Sequence, residues 1–372
     1  MDCFTGCTCS IVNQYIHNME IETKQINTVI IGGGQAGLAV GYFLKEKNSQ
    51  FIIFDENNRI GDSWRKRWDS LKLFTPSQHD SLPGLPFPLP KGYFPGKDEM
   101  ADYLEQYATE FSLPVQTNVK VDRLESQNGH YEISTAGQKI MVKNVVIATG
   151  TNPSPYIPAI KSDIHPEIFQ IHSSGYTNPG ALPAGDVLVV GAATSGIEIA
   201  LEISKTHKTF LSGKPTFHIP DKLIEYGGEL YWWIINNIVT VRTPIGRKAK
   251  KSILNGGSPL IRVSSKDLEI AGIPCLTRVS GTKDGFPMLE DNSVLKVSSI
   301  IWATGYKPDF SWIGMDVTDT KGWPVMKRGI STVKPGLYFV GMPFQFGLTS
   351  GLVGGIGRDA AYISSHILHH QN

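Results

Sequence analysis

Cysteine is scarce: the chain of 372 residues carries four, of which Cys3, Cys7 and Cys9 crowd the start and Cys275 stands alone thereafter. A solitary thiol cannot cycle between dithiol and disulfide, so the body of the chain is not built for chemistry run by a cysteine pair. The three early cysteines lack a fourth ligand nearby, which argues against a metal centre. Long apolar runs are missing too; nothing approaches the roughly 20 residues that a membrane-crossing helix needs. Met1 to Gln25 has no early Lys or Arg and no apolar stretch, so it does not read as a secretory signal, and cytoplasm is the expected compartment. An excess of one charge is also absent, since 35 basic against 34 acidic residues leave +1. That gives no broad field to gather nucleic acid or an anionic membrane.

Glycine is present in quantity, 38 residues, and part of it is ordered into two loops, Gly32-Gly33-Gly34-Gln35-Ala36-Gly37 and Gly191-Ala192-Ala193-Thr194-Ser195-Gly196. Each follows a short apolar strand, Thr28-Val29-Ile30-Ile31 or Asp186-Val187-Leu188-Val189-Val190, and each leads into a helical stretch. Each also has an Ala-Thr-Gly turn downstream, ending at Gly150 and Gly305, 118 and 114 residues after the first glycine. One such loop alone is a weak signal. A pair with matched turns implies two nucleotide-binding modules facing each other across an active site. Side chains are poor redox carriers, so the hydride step belongs to a flavin served by a nicotinamide. Asp55 ends the second strand, Phe51 to Phe54, 18 residues after Gly37, where an acid bonds adenosine ribose hydroxyls. The second loop carries Ala193 in place of its middle glycine, and its next strand, Thr209 to Leu211, ends in Ser212-Gly213-Lys214 with no carboxylate. Ser212 and Lys214 suit a 2′-phosphate, so NADPH is expected with modest preference over NADH.

The expected fold class is α/β, with two Rossmann-like dinucleotide-binding domains, one for FAD and one for NAD(P)H, the second inserted into the first. Residues 1–26 are a dispensable lead, with Met19 an alternative start. Residues 27–155 and 306–372 form a discontinuous FAD domain, because Gly336 to Gly341 and Gly354 to His366 read as a returning strand and helix. Residues 156–305 form the NAD(P)H domain. Proline and aromatics crowd Leu82 to Pro95, which excludes regular structure there. A helix over Lys97 to Phe111 follows, then an antiparallel meander over Val119–Leu124, Tyr131–Thr135 and Lys139–Val142. Leu223 to Leu276 is an insert with Trp232, Trp233 and a basic stretch, Arg247 to Lys251, that reads as a solvated helix face.

The series Gly32 to Gly37, Gly61-Asp62-Ser63-Trp64, Trp68 to Pro76, Ala148-Thr149-Gly150, His172 to Tyr176, Gly191 to Gly196 and Ala303-Thr304-Gly305-Tyr306 resembles the flavin-containing monooxygenase superfamily, in particular its small bacterial branch. The resemblance covers nearly everything after residue 27. It implies that NADPH reduces FAD and that oxygen then forms a flavin C4a-hydroperoxide that oxygenates a small sulfide or amine. By position it assigns Gly32, Gly34, Gln35, Ala36, Gly37 and Asp55 to the FAD adenosine diphosphate, and Ser63 and Trp64 to the ribityl and flavin. Thr75 falls at the flavin edge, Val121 at the adenine, Thr149 and Gly150 at the same pocket, and Gly351 at the flavin's pyrimidine end. Gly191, Ala193, Thr194, Ser195, Gly196, Thr304 and Gly305 line the NAD(P)H site. His79 and His172 are candidate acids or bases near the flavin.

Three departures modify that expectation. The signature before the second module is reduced to His172 and Tyr176, with Pro166 and Ile168 where Phe and Gly belong. Phe74 replaces the asparagine beside the reactive flavin position, and it offers no hydrogen bond to shelter a peroxyflavin, so part of the oxygen is expected back as hydrogen peroxide. The last strand ends Gly341-Met342 in place of Gly-Asp. Two other readings stay open: a reductase or oxidase that does not oxygenate, and a non-catalytic regulator of a transporter that binds both nucleotides. Oligomeric state is open, a homodimer included.

Overall fold

The computed structural model describes residues 26–150, 154–220, 228–254 and 259–370. Cys3, Cys7 and Cys9, the alternative start at Met19 and the beginning of the insert at Leu223 lie outside the described residues.

Two strands buried on both faces, Thr28–Ile31 and Val187–Val190, seed two parallel sheets. In the first sheet Thr28–Ile31 lies between Phe51–Phe54 and Asn144–Ile147, all parallel. Val115–Gln116 closes one edge, and Leu337–Phe339 joins the other side in parallel with Val145–Ile147. Two short antiparallel strands, Ile330–Ser331 and Met326–Lys327, finish that edge and bring the sheet to seven. In the second sheet Val187–Val190 lies between Thr209–Ser212 and Ser299–Trp302, with Cys275–Leu276 and Phe169–His172 outside them, five parallel strands in all. The returning strand thus sits in the first sheet even though the whole second sheet intervenes in sequence. The chain passes between the sheets at a small antiparallel ribbon, Ser154–Pro155 with Tyr306–Lys307.

The glycine-loop helices, Gln35–Glu46 and Thr194–Ile203, and the last helix, Ile356–His369, cover one side. Their apolar faces merge into one cluster that runs from Leu38, Val40 and Ile363 to Val187, Ile197 and Ile199, so both modules share a core. The meander forms as Val121–Gln127, His130–Thr135 and Lys139–Val142, starting two residues later than expected because Val119 instead donates its N–H to the Asp55 carbonyl at 2.9 Å. Its alternating side chains, Leu124, Tyr131, Ile133, Ile140 and Val142, cover the other face of the first sheet. Among the described residues no helix is long and apolar enough to cross a membrane.

The proline-rich stretch from Leu82 has no helix or extended strand, and its polar backbone is satisfied from outside. The Tyr103 hydroxyl, on the helix Lys97–Glu110, donates to the Leu85 carbonyl at 2.7 Å and accepts from the Leu82 N–H at 2.6 Å. Tyr107 donates to the Pro83 carbonyl at 2.6 Å. Burial pushes the Tyr103 phenol up to about 12, so both bonds persist at any pH the fold survives. Replacing Tyr103 by Phe strands a carbonyl and an N–H, and urea unfolding should register a loss of about 1–3 kcal/mol. No loss would mean the loop holds its shape without these bonds.

Candidate functional site

At the first loop the backbone is folded back on itself. Gly32 has φ +109°, and a Cβ there would lie 2.5 Å from the Ala148 carbonyl oxygen, while a Cβ on Gly37 would overlap the Gly32 carbonyl. Only glycine permits both contacts. Gly34, by contrast, faces open space, and it precedes the helix Gln35–Glu46 with no side chain capping the helix N-terminus. The N–H groups of that first turn are therefore left for a ligand to satisfy, the geometry a pyrophosphate needs. Asp55 closes the cradle: Oδ2 accepts the Gly33 N–H at 2.7 Å, and Oδ1 accepts the Asn57 N–H at 2.8 Å and its side-chain amide at 2.9 Å. A carboxylate accepts about four hydrogen bonds, so Oδ2 retains capacity for a ribose hydroxyl. Thr149 and Gly150 lie on the turn after Asn144–Ile147, and Val121 begins the strand beside Asp55.

The second loop repeats this geometry. A Cβ on Gly191 (φ +113°) would overlap the Ala303 carbonyl, and one on Gly196 the Gly191 carbonyl. Ala193 caps the helix Thr194–Ile203 without a side-chain bond and is exposed, so its methyl group points away from the turn's close contacts. The residues present fit FAD at the first cradle and a nicotinamide nucleotide at the second. Ser212 needs correction as a phosphate ligand. It is buried, and its hydroxyl is committed to the fold, donating to the Thr277 carbonyl at 2.8 Å and accepting the Val279 N–H at 3.1 Å. Lys214 is exposed.

His172 is also placed differently from a free acid or base. Its Nδ1 accepts the Ser174 N–H at 3.1 Å, which leaves Nε2 to donate to the Gly305 carbonyl at 3.0 Å. Burial lowers its pKa, so the ring is neutral. Both nitrogens are used, and His172 acts as a positioning residue that pins the second Ala-Thr-Gly turn. Thr304 is held likewise, its hydroxyl donating to the Tyr156 carbonyl.

The modules meet beside the Leu71–Pro76 stretch. Arg262 Nη1 pairs with Glu198, on the second loop's helix, at 2.9 Å, and reaches the carbonyl oxygens of Lys72 at 3.2 Å and Leu73 at 3.4 Å. The neighbouring Phe74 is 40% exposed, presenting its ring at this seam without a hydrogen bond to offer. Ser63 is exposed and Trp64 half-buried on the turn Asp62–Arg65, with Trp64 packed against the shared core. Thr75 is buried, and its hydroxyl bonds Asp80 Oδ1. Asp80 has no exposed surface, Oδ2 has no partner, and burial raises its pKa to about 7.

A cavity of about 390 Å³ opens between the Ser77–His79 turn, the helix Gly228–Asn237 and the turns Leu348–Gly355. The His79 ring packs against Trp232, tilted by 31° with centroids 4.5 Å apart, its Nε2 has no partner, and burial lowers its pKa. Trp233, Glu229, Asn236 and Thr349 complete the wall. Gly351, exposed on the Leu348–Gly351 turn, lies within this element. Reasoning from sequence missed Asp80, whose burial depends on the packing around it, and the Glu198–Arg262 pair and the role of Trp232, whose partners lie far away along the chain. Among the described residues no cluster of His, Cys, Asp and Glu could hold a metal, and Cys275 is a single exposed thiol.

Comparison with known proteins agrees with this geometry. Residues 29–241 match the family model described as pyridine nucleotide-disulphide oxidoreductase. The chain is 38% identical over 348 residues to an uncharacterized CzcO-like oxidoreductase of Geobacillus kaustophilus, covering 93% of this chain and 99% of that one. It is 28% identical over 394 residues to YUCCA8, a probable indole-3-pyruvate monooxygenase of Arabidopsis thaliana, covering 91% and 88%. A flavin-containing monooxygenase from Stenotrophomonas maltophilia superposes with TM-score 0.77 at 24% identity, over 93% of this chain and 99% of that one, a likeness of fold.

The buried acid generates a pH test. Asp80 keeps its proton in the folded protein up to about pH 7, whereas in the unfolded chain it ionises near the ordinary aspartate value of 3.8. Between those values the folded state binds the extra proton, so this contribution to stability falls as pH rises through the window and levels off above it. Asp80→Asn should therefore be more stable than wild type at pH 8, by on the order of 2–4 kcal/mol, with the gap closing toward pH 4. Denaturation midpoints of both proteins across that range check it; a gap that does not change with pH would count against a titrating Asp80.

Proposed function

Because the chain belongs to the flavin-containing monooxygenase superfamily, within the pyridine nucleotide-disulphide oxidoreductases, and is an FAD-dependent NAD(P)H oxidoreductase, we propose that it oxygenates a small sulfide or amine at the expense of NADPH and returns part of the oxygen as hydrogen peroxide. We take residues 27–155 and 306–372 as the FAD domain, residues 156–305 as the NADPH domain and cytoplasm as the compartment. The observation that carries the reading is the seam at which Arg262 ties the second loop's helix, through Glu198, to the Lys72 and Leu73 carbonyls. We infer that a nicotinamide held by the second cradle and a flavin held by the first would meet beside that stretch.

When bound, FAD supplies the hydride and oxygen chemistry. The protein's part is positional. The first-turn N–H groups and Asp55 would hold the flavin nucleotide, His172 fixes the Gly305 turn of the second module, and Lys214 would meet the 2′-phosphate that distinguishes NADPH. The shared apolar core keeps the two cradles in register. The cavity beside His79 and Trp232 is the substrate pocket, with an aromatic floor and amide walls suited to a small polar organic molecule. Phe74, half-exposed and without a donor, leaves the reacting edge poorly sheltered. That same feature favours an NADPH oxidase as the second reading.

Two measurements test this. Gly37→Ala should purify without flavin absorbance, whereas Gly196→Ala should keep its flavin and need at least about tenfold more NADPH for half-maximal anaerobic reduction; equal behaviour of the two would undo the division of labour. Phe74→Asn should lower the peroxide formed per NADPH consumed severalfold, counted with a sulfide substrate present. An unchanged ratio would clear Phe74 of the uncoupling.

A further inference from the structure

Three arginines from distant parts of the chain, none of them in a glycine loop, gather on one phenyl ring. Arg242 follows the helix Gly228–Asn237, Arg328 sits at the tip between the strands Met326–Lys327 and Ile330–Ser331, and Arg358 is in the first turn of Ile356–His369. Their guanidinium carbons lie 5.1, 4.4 and 4.2 Å from the centroid of Phe346, which is buried, and Arg328 also stacks on Tyr362 at 3.8 Å. Stacking satisfies the faces of these groups, not their edges. Arg358 spends Nη1 on the Asn236 carbonyl at 2.7 Å, but its Nε and Nη2, and the Nε of Arg328, are buried with no hydrogen-bond partner.

The charge is uncompensated as well. Among the described residues none of the ion pairs includes any of the three. Burial and the positive charges of Arg328 and Arg242 push the Arg358 guanidinium below its ordinary value. One carboxyl is close, Asp359: its charge favours the protonated Arg358, while its own burial raises its pKa against the pull of Ser350, Arg358 and Arg328. Two like charges at half-buried positions, Arg328 and Arg358, with N–H donors unmet and a third, exposed guanidinium on the same ring, are costly unless an anion completes them. The positive end of the fourteen-residue helix Ile356–His369 adds to the same preference.

We propose that Arg242, Arg328 and Arg358 form a binding site for a phosphate-type oxyanion, separate from both dinucleotide cradles. Three guanidinium groups gathered on one ring suit a tetrahedral oxyanion better than a halide, because each can offer a fork of N–H donors to a separate oxygen. The site lies where the helical insert docks on the rest of the protein: Val241 donates to the Phe346 carbonyl at 2.9 Å and Leu348 to the Val239 carbonyl at 3.0 Å. Arg358 also holds Asn236, whose Oδ1 accepts the Thr349 hydroxyl at 2.7 Å on the wall of the cavity. Oxyanion binding therefore fastens the insert over that cavity.

The test is calorimetric titration of protein saturated with FAD and NADP⁺, so that both glycine loops are filled, with inorganic phosphate, phenyl phosphate or chloride at constant ionic strength. One saturable phosphate site is expected, with no comparable chloride binding. Arg242→Gln, at an exposed position that leaves the fold intact, and Arg328→Gln should each weaken it at least tenfold, whereas Lys327→Gln, the same charge change on the same hairpin but off the ring, should not. Tighter phenyl phosphate than phosphate assigns the site to an esterified phosphate, and the reverse to the free ion. Phosphate heats no larger than those of chloride, or binding that survives both arginine variants, would overturn the proposal. Because the readout is neither reduction nor oxygenation, its failure leaves the proposed reaction standing. Loss of the flavin spectrum in wild type would instead undermine the reaction and leave the arginine result readable.

Discussion

The closest constraint in the molecule is the approach of two backbone segments, Gly37 against the Gly32 carbonyl and its repeat at Gly196 against the Gly191 carbonyl, where no side chain fits. This contact sets the angle at which the helix leaves the strand. It thereby aims the first-turn N–H groups at a phosphate and leaves the strand's carboxyl end as the place where a cofactor enters. Everything downstream inherits that direction. The strand must be buried on both faces to hold the loop from beneath, and the returning segment Leu337–Phe339 must dock beside Asn144–Ile147 to complete that burial. The second module can then be inserted without disturbing the first.

A pair of independent cradles does not make a redox enzyme; their relative placement does. Here the placement rests on a continuous apolar cluster and on a few polar ties crossing the seam. The Glu198 carboxyl is largely buried and burial raises its pKa to about 7, against the pull of Arg262. Such a pair contributes little net stability, since desolvation offsets most of its attraction. Its value is directional: guanidinium geometry fixes one helix against the Lys72 and Leu73 carbonyls, next to the ring of Phe74. Specific orientation matters more to hydride transfer than added stability does.

The repeated part of this structure was legible in the sequence because it is local. Strand, glycine turn, helix and the acid at Asp55 fall within 28 residues, and the Ala-Thr-Gly turns extend the pattern to Gly150 and Gly305. The proline-rich loop was legible as irregular, though its tyrosine clamps were not. Ser212 misled because a serine after a strand looks available when its backbone partners, Thr277 and Val279, are 65 and 67 residues on. His172 misled in the same way, since its Nε2–H is spent on the Gly305 carbonyl. Asp80 gives no sign of its burial, and Arg242, Arg328 and Arg358 share no spacing that suggests one ring.

That division has a physical origin. Dinucleotide binding uses backbone N–H groups, which every sequence possesses, so only the glycines that permit close approach need to be specified, and they stand close together. The chemistry between the cradles uses side chains that must lose water without losing a partner. Such partners come from whichever element packs alongside, so Thr75 meets Asp80 across a short turn, His79 meets Trp232 from the insert, and Phe346 gathers arginines from three segments. A net charge of +1 hides both the buried acid and the arginine cluster, because a sum over the surface carries no information about local desolvation. The substrate of this protein is therefore to be sought in the non-repeated segments around residues 72–81, 228–242 and 342–358, where the two modules differ most from each other.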